Sequence, residues 1–138
     1  MPEAFRFFEG RTELLSLVKV MMKRPYSSKT IGRGQILSDG SLSLVQQVYD
    51  PGKPISHRRW LIREVSPGRF TGTMSEAVGP VHIQQIGGKF LFRFKMKGKL
   101  AIEQWITPLP GGKIARSKVT VQKLGMRVAT SEGTIRKL

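Results

Sequence analysis

Turn-forming residues recur along this chain at short, nearly even intervals, and that spacing restricts the fold more than any other feature. The signals are Pro25, Ser38-Asp39-Gly40, Asp50-Pro51-Gly52, Ser66-Pro67-Gly68, Gly79-Pro80, Gly87-Gly88, Lys97-Gly98, Pro110-Gly111-Gly112 and Gly125, most of them 8 to 16 residues apart. Gaps of that length hold one strand each. The residues between are rich in β-branched and aromatic types, which is the pattern of a sandwich or barrel. No segment sustains an apolar period of 3.6 residues. The best helical candidate, residues 11–22, lacks a clean apolar stripe and runs into a Pro-Tyr turn.

Ten strands are predicted, at residues 10–22, 29–37, 41–49, 55–65, 69–76, 80–86, 89–97, 99–107, 113–123 and 127–137. The seventh alternates most clearly. Phe90, Phe92, Phe94 and Met96 point one way, and Lys89, Leu91, Arg93, Lys95 and Lys97 point the other. That is the period of a half-buried strand. The ninth sets Ala115, Ser117, Val119 and Val121 against Arg116, Lys118, Thr120 and Gln122. The connections are short, so consecutive strands pair antiparallel as a meander. Such a meander exposes two edges unless it closes on itself. The expected fold is therefore all-β, a closed or nearly closed up-and-down barrel of about 8–10 strands and lipocalin-like. The whole chain, 1–138, is expected to form that one domain.

The hairpin around Lys97-Gly98 sets which residues of the eighth strand point inward. A two-residue loop suits a tight turn, since glycine tolerates positive φ. It pairs Phe94 with Ala101, Phe92 with Glu103 and Phe90 with Trp105, placing Glu103 and Trp105 on the inner face. A three-residue loop places Ile102 and Ile106 there instead. The two-residue loop is the preferred reading.

Composition narrows the function classes. The 138 residues contain no cysteine. That excludes a disulfide framework, a thiol nucleophile, a cysteine-based zinc site and an acylated lipobox cysteine in this sequence. Residues 1–8 carry Glu3 and Arg6 and do not read as a signal peptide. The longest apolar runs fall far short of the ~20 residues of a membrane-spanning helix. A cytoplasmic protein is the expectation. The charge is lopsided, with 24 Lys+Arg against 9 Asp+Glu and a formal net of +15. A field of that size attracts anionic partners and favours solubility.

Several motifs, taken in order, resemble those of an uncharacterised family of small proteobacterial proteins, many of them lipoprotein-like, with a domain of unknown function. Phe8-Glu9-Gly10-Arg11-Thr12-Glu13 is similar to its opening motif, and Arg58-Arg59-Trp60 to its Arg-x-Trp strand. Gly68-Arg69-Phe70-Thr71-Gly72-Thr73, with Glu76-Ala77-Val78-Gly79-Pro80, resembles its Gly-Arg-Tyr-x-Gly-Thr and Asp-Val-Val-Gly run. Glu103-Gln104-Trp105 stands where that family has Asp-Asp-Trp, and the stretch from Lys118 to Gly125 is similar to its Arg-x-Thr-Met-Ser-Lys-Phe-Gly. The resemblance implies a lipocalin-like, calycin-type barrel with no established activity. It also implies that Phe8, Gly10 and Arg136 fill the places where such barrels pack a strand-ending arginine on a ring. The departures are Leu14 in place of a glycine, Glu103 and Gln104 in place of the two acids, and the missing envelope-lipoprotein signal.

Three constellations can carry chemistry. Arg58 and Trp60 share a strand face, as do Glu103 and Trp105. With both faces inward, an Arg–Glu pair framed by two indoles lies within the barrel, because a buried carboxylate pairs with a cation or takes up a proton. Arg58, Trp60, Phe92, Phe94, Glu103 and Trp105 are the candidate ligand-binding residues, around a mostly apolar pocket with a few placed polar groups. The same pair also reads as an ion pair that fixes strand register. Second, Lys89, Arg93, Lys95, Lys97, Lys99, Arg116 and Lys118 fall on adjacent strands as a basic surface for anionic lipid. Nucleic acid is the less expected partner, since specific single-strand binding wants aromatic side chains on the same face, and Phe90, Phe92 and Phe94 point away. Third, no catalytic, metal or cofactor motif is found. His57 and His82 read as surface residues and cannot alone build an ordinary zinc site. Gly32-Arg33-Gly34 is too short for a dinucleotide fingerprint, and no Gly-x-Ser-x-Gly elbow occurs.

The expected function is a non-enzymatic carrier or binder of a small, partly apolar ligand that can be anionic, held in the barrel interior and requiring no cofactor. The alternative is a peripheral protein that binds anionic lipid or nucleic acid on its basic outer face. A weaker one is an isomerase- or cyclase-type barrel enzyme with Glu103 as base. The sequence leaves the oligomeric state open.

Overall fold

A computed structural model describes the backbone of residues 3–138, with side chains from Phe5 onward. A short helix, α1 (Glu3–Arg6), precedes ten strands: β1 (Gly10–Val20), β2 (Tyr26–Ile36), β3 (Leu42–Tyr49), β4 (Ser56–Ser66), β5 (Arg69–Met74), β6 (Val81–Ile86), β7 (Lys89–Met96), β8 (Leu100–Pro108), β9 (Ile114–Lys123) and β10 (Met126–Lys137). Each strand pairs antiparallel with the next, and β1 pairs with β10, from Thr12 opposite Lys137 to Val20 opposite Ala129. The barrel is therefore closed. Closure matters physically because an open sheet of ten strands would leave two rows of unpaired backbone groups. The predicted order of ten strands holds, with ends displaced by a few residues. The segment 11–22, the best helical candidate, is β1 for most of its length.

The barrel has two unlike ends. The turns β2–β3, β4–β5, β6–β7 and β8–β9 lie at the end occupied by α1. Phe5 and Phe7 are buried there, and the Phe5 ring sits 4.8 Å from that of Phe70 on β5. The chain passes so close to β2 that a Cβ on Gly34 would collide with the Phe8 carbonyl. Glycine at this point lets the N-terminal segment plug the barrel. Four helical residues are too few to show a period, so α1 is not legible in the sequence. The turns β1–β2, β3–β4, β5–β6, β7–β8 and β9–β10 form the opposite end, the mouth.

The β7–β8 register differs from the preferred reading. Met96 pairs with Leu100 across a three-residue loop, Lys97-Gly98-Lys99, in which Gly98 and Lys99 both take positive φ, 86° and 60°. Phe94 then lies opposite Ile102, Phe92 opposite Gln104 and Phe90 opposite Ile106. A slip of one residue reverses every side chain of a strand, so Glu103 and Trp105 face outward. The observed register buries Ile102 and Ile106 and spares a carboxylate the cost of desolvation.

Candidate functional site: the barrel interior

The inner surface is divided into two walls by the size of its side chains. From β3 to β8 the inward positions are large and apolar. Leu42, Leu44, Trp60, Ile62, Phe70, Met74, Val81, Ile83, Phe90, Phe92, Phe94, Ile102 and Ile106 are all buried and form one cluster. The Trp60 indole meets Phe92 and Phe94 edge-on, with ring centroids 6.1 and 5.5 Å away. Edge-to-face geometry suits the quadrupoles of the rings and adds ~0.5–1.5 kcal/mol per pair to the area term.

From β9 through β10 and β1 to β2 the inward positions near the mouth are mostly small, while Leu14, Ile36 and Ile135 pack onto the core toward the α1 end. The register places Ser117 opposite Gly133, Val119 opposite Ser131 and Val121 opposite Ala129. Gly133 lies opposite Ser16, which in turn faces Ser28, and Thr12 faces Gly32. Ser16, Val18, Val119, Val121, Ala129 and Ser131 point inward yet are only half-buried. Inward side chains that stay partly exposed mean that solvent enters the barrel at the mouth and is not displaced by packing. Toward the α1 end the interior is nearly full. The void there, lined by Phe5, Thr12, Thr30, Gln46, Trp60, Phe92 and Gln104 among others, is about 50 Å³. That is room for one or two waters.

Polar groups stand where the two walls meet. The Trp60 Nε1–H donates to Gln46 Oε1 at 2.7 Å, and Gln104 Nε2 donates to Ser117 Oγ at 3.0 Å. Both amides were missed at the sequence level. Gln104 becomes an inner-face residue only in the three-residue register, and Gln46 was visible only as the alternation partner of Leu44 and Val48. At the mouth, Arg58 Nε donates to Glu76 Oε1 at 2.5 Å, with the side chains 31% and 37% exposed. Arg58 therefore has a partner within the chain, and that partner is Glu76 of the β5–β6 turn. The Tyr26 phenol, also at the mouth, is pushed above its usual range by burial and then by the nearby Asp50.

Of the six predicted pocket residues, Arg58, Trp60, Phe92 and Phe94 lie on the inner face. Glu103 and Trp105 do not. Glu103 is half-exposed on the outside and pairs with Arg93 at 3.5 Å, so the proposed interior Arg58–Glu103 pair is not formed and no Glu103 base stands in a dry barrel. Trp105 lies outside, opposite Lys118 and Leu91, in a groove with Lys89 and Arg116. An aromatic side chain thus does share the face of the basic strands, contrary to the sequence reading. Lys89, Arg93, Lys95, Lys97, Lys99, Arg116 and Lys118 are all exposed there. His57 and His82 are exposed outer residues, and Arg136 lies exposed opposite Glu13. Among the described residues no group of three His, Cys, Asp or Glu is placed to hold a metal ion. No helix among them is long and apolar enough to cross a membrane.

No protein-family model matches the chain, and no curated protein matches it either; the proteobacterial lipoprotein-like resemblance thus rests on its short motifs alone. Solved structures do match. The S-type phycobiliprotein lyase CPES from Guillardia theta superposes with a TM-score of 0.77 at 10% identity, covering 99% of this chain and 91% of that one. A protein of unknown function from the DUF3598 family of Nostoc punctiforme gives a TM-score of 0.66 at 11% identity over 97% of this chain. The chain spans about half the length of that protein, 49%. At such identities the likeness is one of architecture, and it places this chain among the lipocalin-like barrels.

Proposed function

We propose that the protein is a non-enzymatic binder or carrier of a small, partly apolar molecule, taken up at the mouth of the barrel between its two walls. The observation that carries this reading is the asymmetry of the inner surface. One wall is packed with rings, and the facing wall near the mouth carries Ser16, Val18, Ala129 and Ser131, smaller side chains that point inward and stay partly exposed. A ligand seated there rests an apolar flank on Trp60, Phe92 and Phe94 and offers polar groups to the hydroxyl-bearing wall. Binding sites of this kind combine apolar lining with a few convergent polar groups. The likeness to a phycobiliprotein lyase supports the reading at the level of architecture. Arg58 is held by Glu76, so its guanidinium is already paired, which favours a neutral ligand over an anionic one. The whole chain acts as one binding domain in this proposal.

The test adds bulk to the small-residue wall. Ser131→Phe replaces a partly exposed inward serine with a ring, on a strand that carries neither the ion pair nor the aromatic wall. Titration with the neutral dye N-phenyl-1-naphthylamine should give saturable fluorescence enhancement in the parent, little change with salt, and loss in Ser131→Phe. Trp105→Ala, on the outside, should leave it intact. Equal dye binding by the parent and Ser131→Phe would sink the proposal.

A further inference from the structure

The mouth carries a feature that interior binding does not require. Among the described residues, three other than glycine have positive φ: Met22 at 65°, Lys99 at 60° and Leu124 at 52°. All three lie in hairpin turns at the mouth. In the β9–β10 turn, Leu124 and Gly125 both have positive φ, a two-residue geometry in which Asn or Asp normally stands at the first place. A leucine there strains the backbone. No packing offsets that strain, since Leu124 is 77% exposed and Met22 is 96% exposed. Bulky residues in this conformation are outliers that call for an explanation.

The two tips are neighbours. β1 and β10 are paired up to the mouth, and the Met21 N–H donates to the Val128 carbonyl at 2.9 Å. Met21, Met22, Leu124 and Met126 are thus exposed apolar residues on two turns carried by paired strands. Cations flank it, namely Lys23, Arg24, Lys123 and Arg127, with Lys97 and Lys99 on the β7–β8 turn of the same end, all exposed. The acids of the mouth turns are Asp50 and Glu76, and Glu76 is occupied by Arg58. Among the described residues, the turns at the opposite end hold no residue other than glycine at positive φ.

We infer that the mouth docks on the surface of an anionic phospholipid bilayer, with Met22 and Leu124 entering the headgroup–acyl boundary and the surrounding lysines and arginines meeting the lipid charge. Apolar side chains projecting from a basic rim are the combination that interfacial binding uses, and each cation near an anionic leaflet strengthens it. Docked in this way, the open half of the barrel faces the bilayer. The inference does not depend on an interior ligand, because Ser131→Phe should leave docking unchanged.

Co-sedimentation with phosphatidylcholine vesicles containing about 30% phosphatidylserine tests it. The parent should pellet with these vesicles, pellet poorly with pure phosphatidylcholine, and weaken steeply between about 50 and about 200 mM salt. The double variant Met22→Asn/Leu124→Asn tolerates positive φ better than the parent, so it should fold with an equal or higher melting temperature. It should nevertheless lose vesicle affinity by about tenfold or more through the missing apolar anchors. Replacing Lys23 or Lys123 by alanine should cost about fivefold each. Failure of the parent to bind, parental affinity in the double variant, or displacement of the parent from vesicles by a single-stranded oligonucleotide would each overturn the inference.

Discussion

The two walls of the barrel interior are made by the same backbone device and do opposite things. Along β4 to β8 alternate residues are rings and branched chains that meet in the middle and exclude water. Along β9, β10, β1 and β2 the alternate residues near the mouth are mostly Ser, Gly, Ala, Thr and Val, and several of these remain half-exposed although they point inward. Closure by hydrogen bonding needs only the backbone, so a barrel can complete its ladder without filling its interior. Packing is then tighter on one wall than on the other, and a core packed to full density throughout leaves no room for a guest.

The largest expected contrast is between substitutions on opposite walls. Phe92→Ala should lower unfolding stability by ~3–5 kcal/mol, the usual loss for a buried ring. Ser131→Ala, on the open wall, should stay within about 0.5 kcal/mol. Urea denaturation of the two variants checks this, and similar losses would erase the distinction between the walls. Next in size is Gly133→Ala. Its methyl would run into the Leu15 carbonyl and the Ser16 Cα, which are backbone and cannot step aside. A cost of ~1–3 kcal/mol is expected, a typical overpacking penalty, even though the position belongs to the sparsely filled wall. That outcome would show that the small residues are needed for strand approach as well as for volume.

Ser117→Ala should cost about 1 kcal/mol, because Gln104 loses its acceptor where the walls meet. Thermal unfolding of Ser117→Ala beside Ser131→Ala separates a bonded hydroxyl from a free one. Arg58→Ala should cost no more than about 1 kcal/mol, since its ion pair with Glu76 is partly solvated. The smallest effect concerns Tyr26. Its folded pKa is raised, so the folded state holds the phenolic proton more tightly than the unfolded chain. The corresponding stability is present below the usual phenol pKa and is lost as pH rises through the folded value. Tyr26→Phe should therefore flatten the alkaline limb of a stability–pH profile and leave the neutral range unchanged.

The sequence alone determined the strand count, the meander and the need for closure, because turn residues and period-2 alternation are local properties of the chain. It placed Arg58, Trp60, Phe92 and Phe94 on one set of faces and His57 on the other, for the same reason. It did not determine which partner each face would meet. Alternation looks the same after a shift of one residue, so only the third loop residue, Lys99 at positive φ, decided that Ile102 and Gln104 go in while Glu103 and Trp105 go out. The pairing of Arg58 with Glu76, the plug formed by Phe5 and Phe7, and the placing of the Met22 and Leu124 turns on paired strands at one end were likewise settled only by tertiary structure. Each joins segments far apart in the chain, whose proximity depends on the ring of strands having closed.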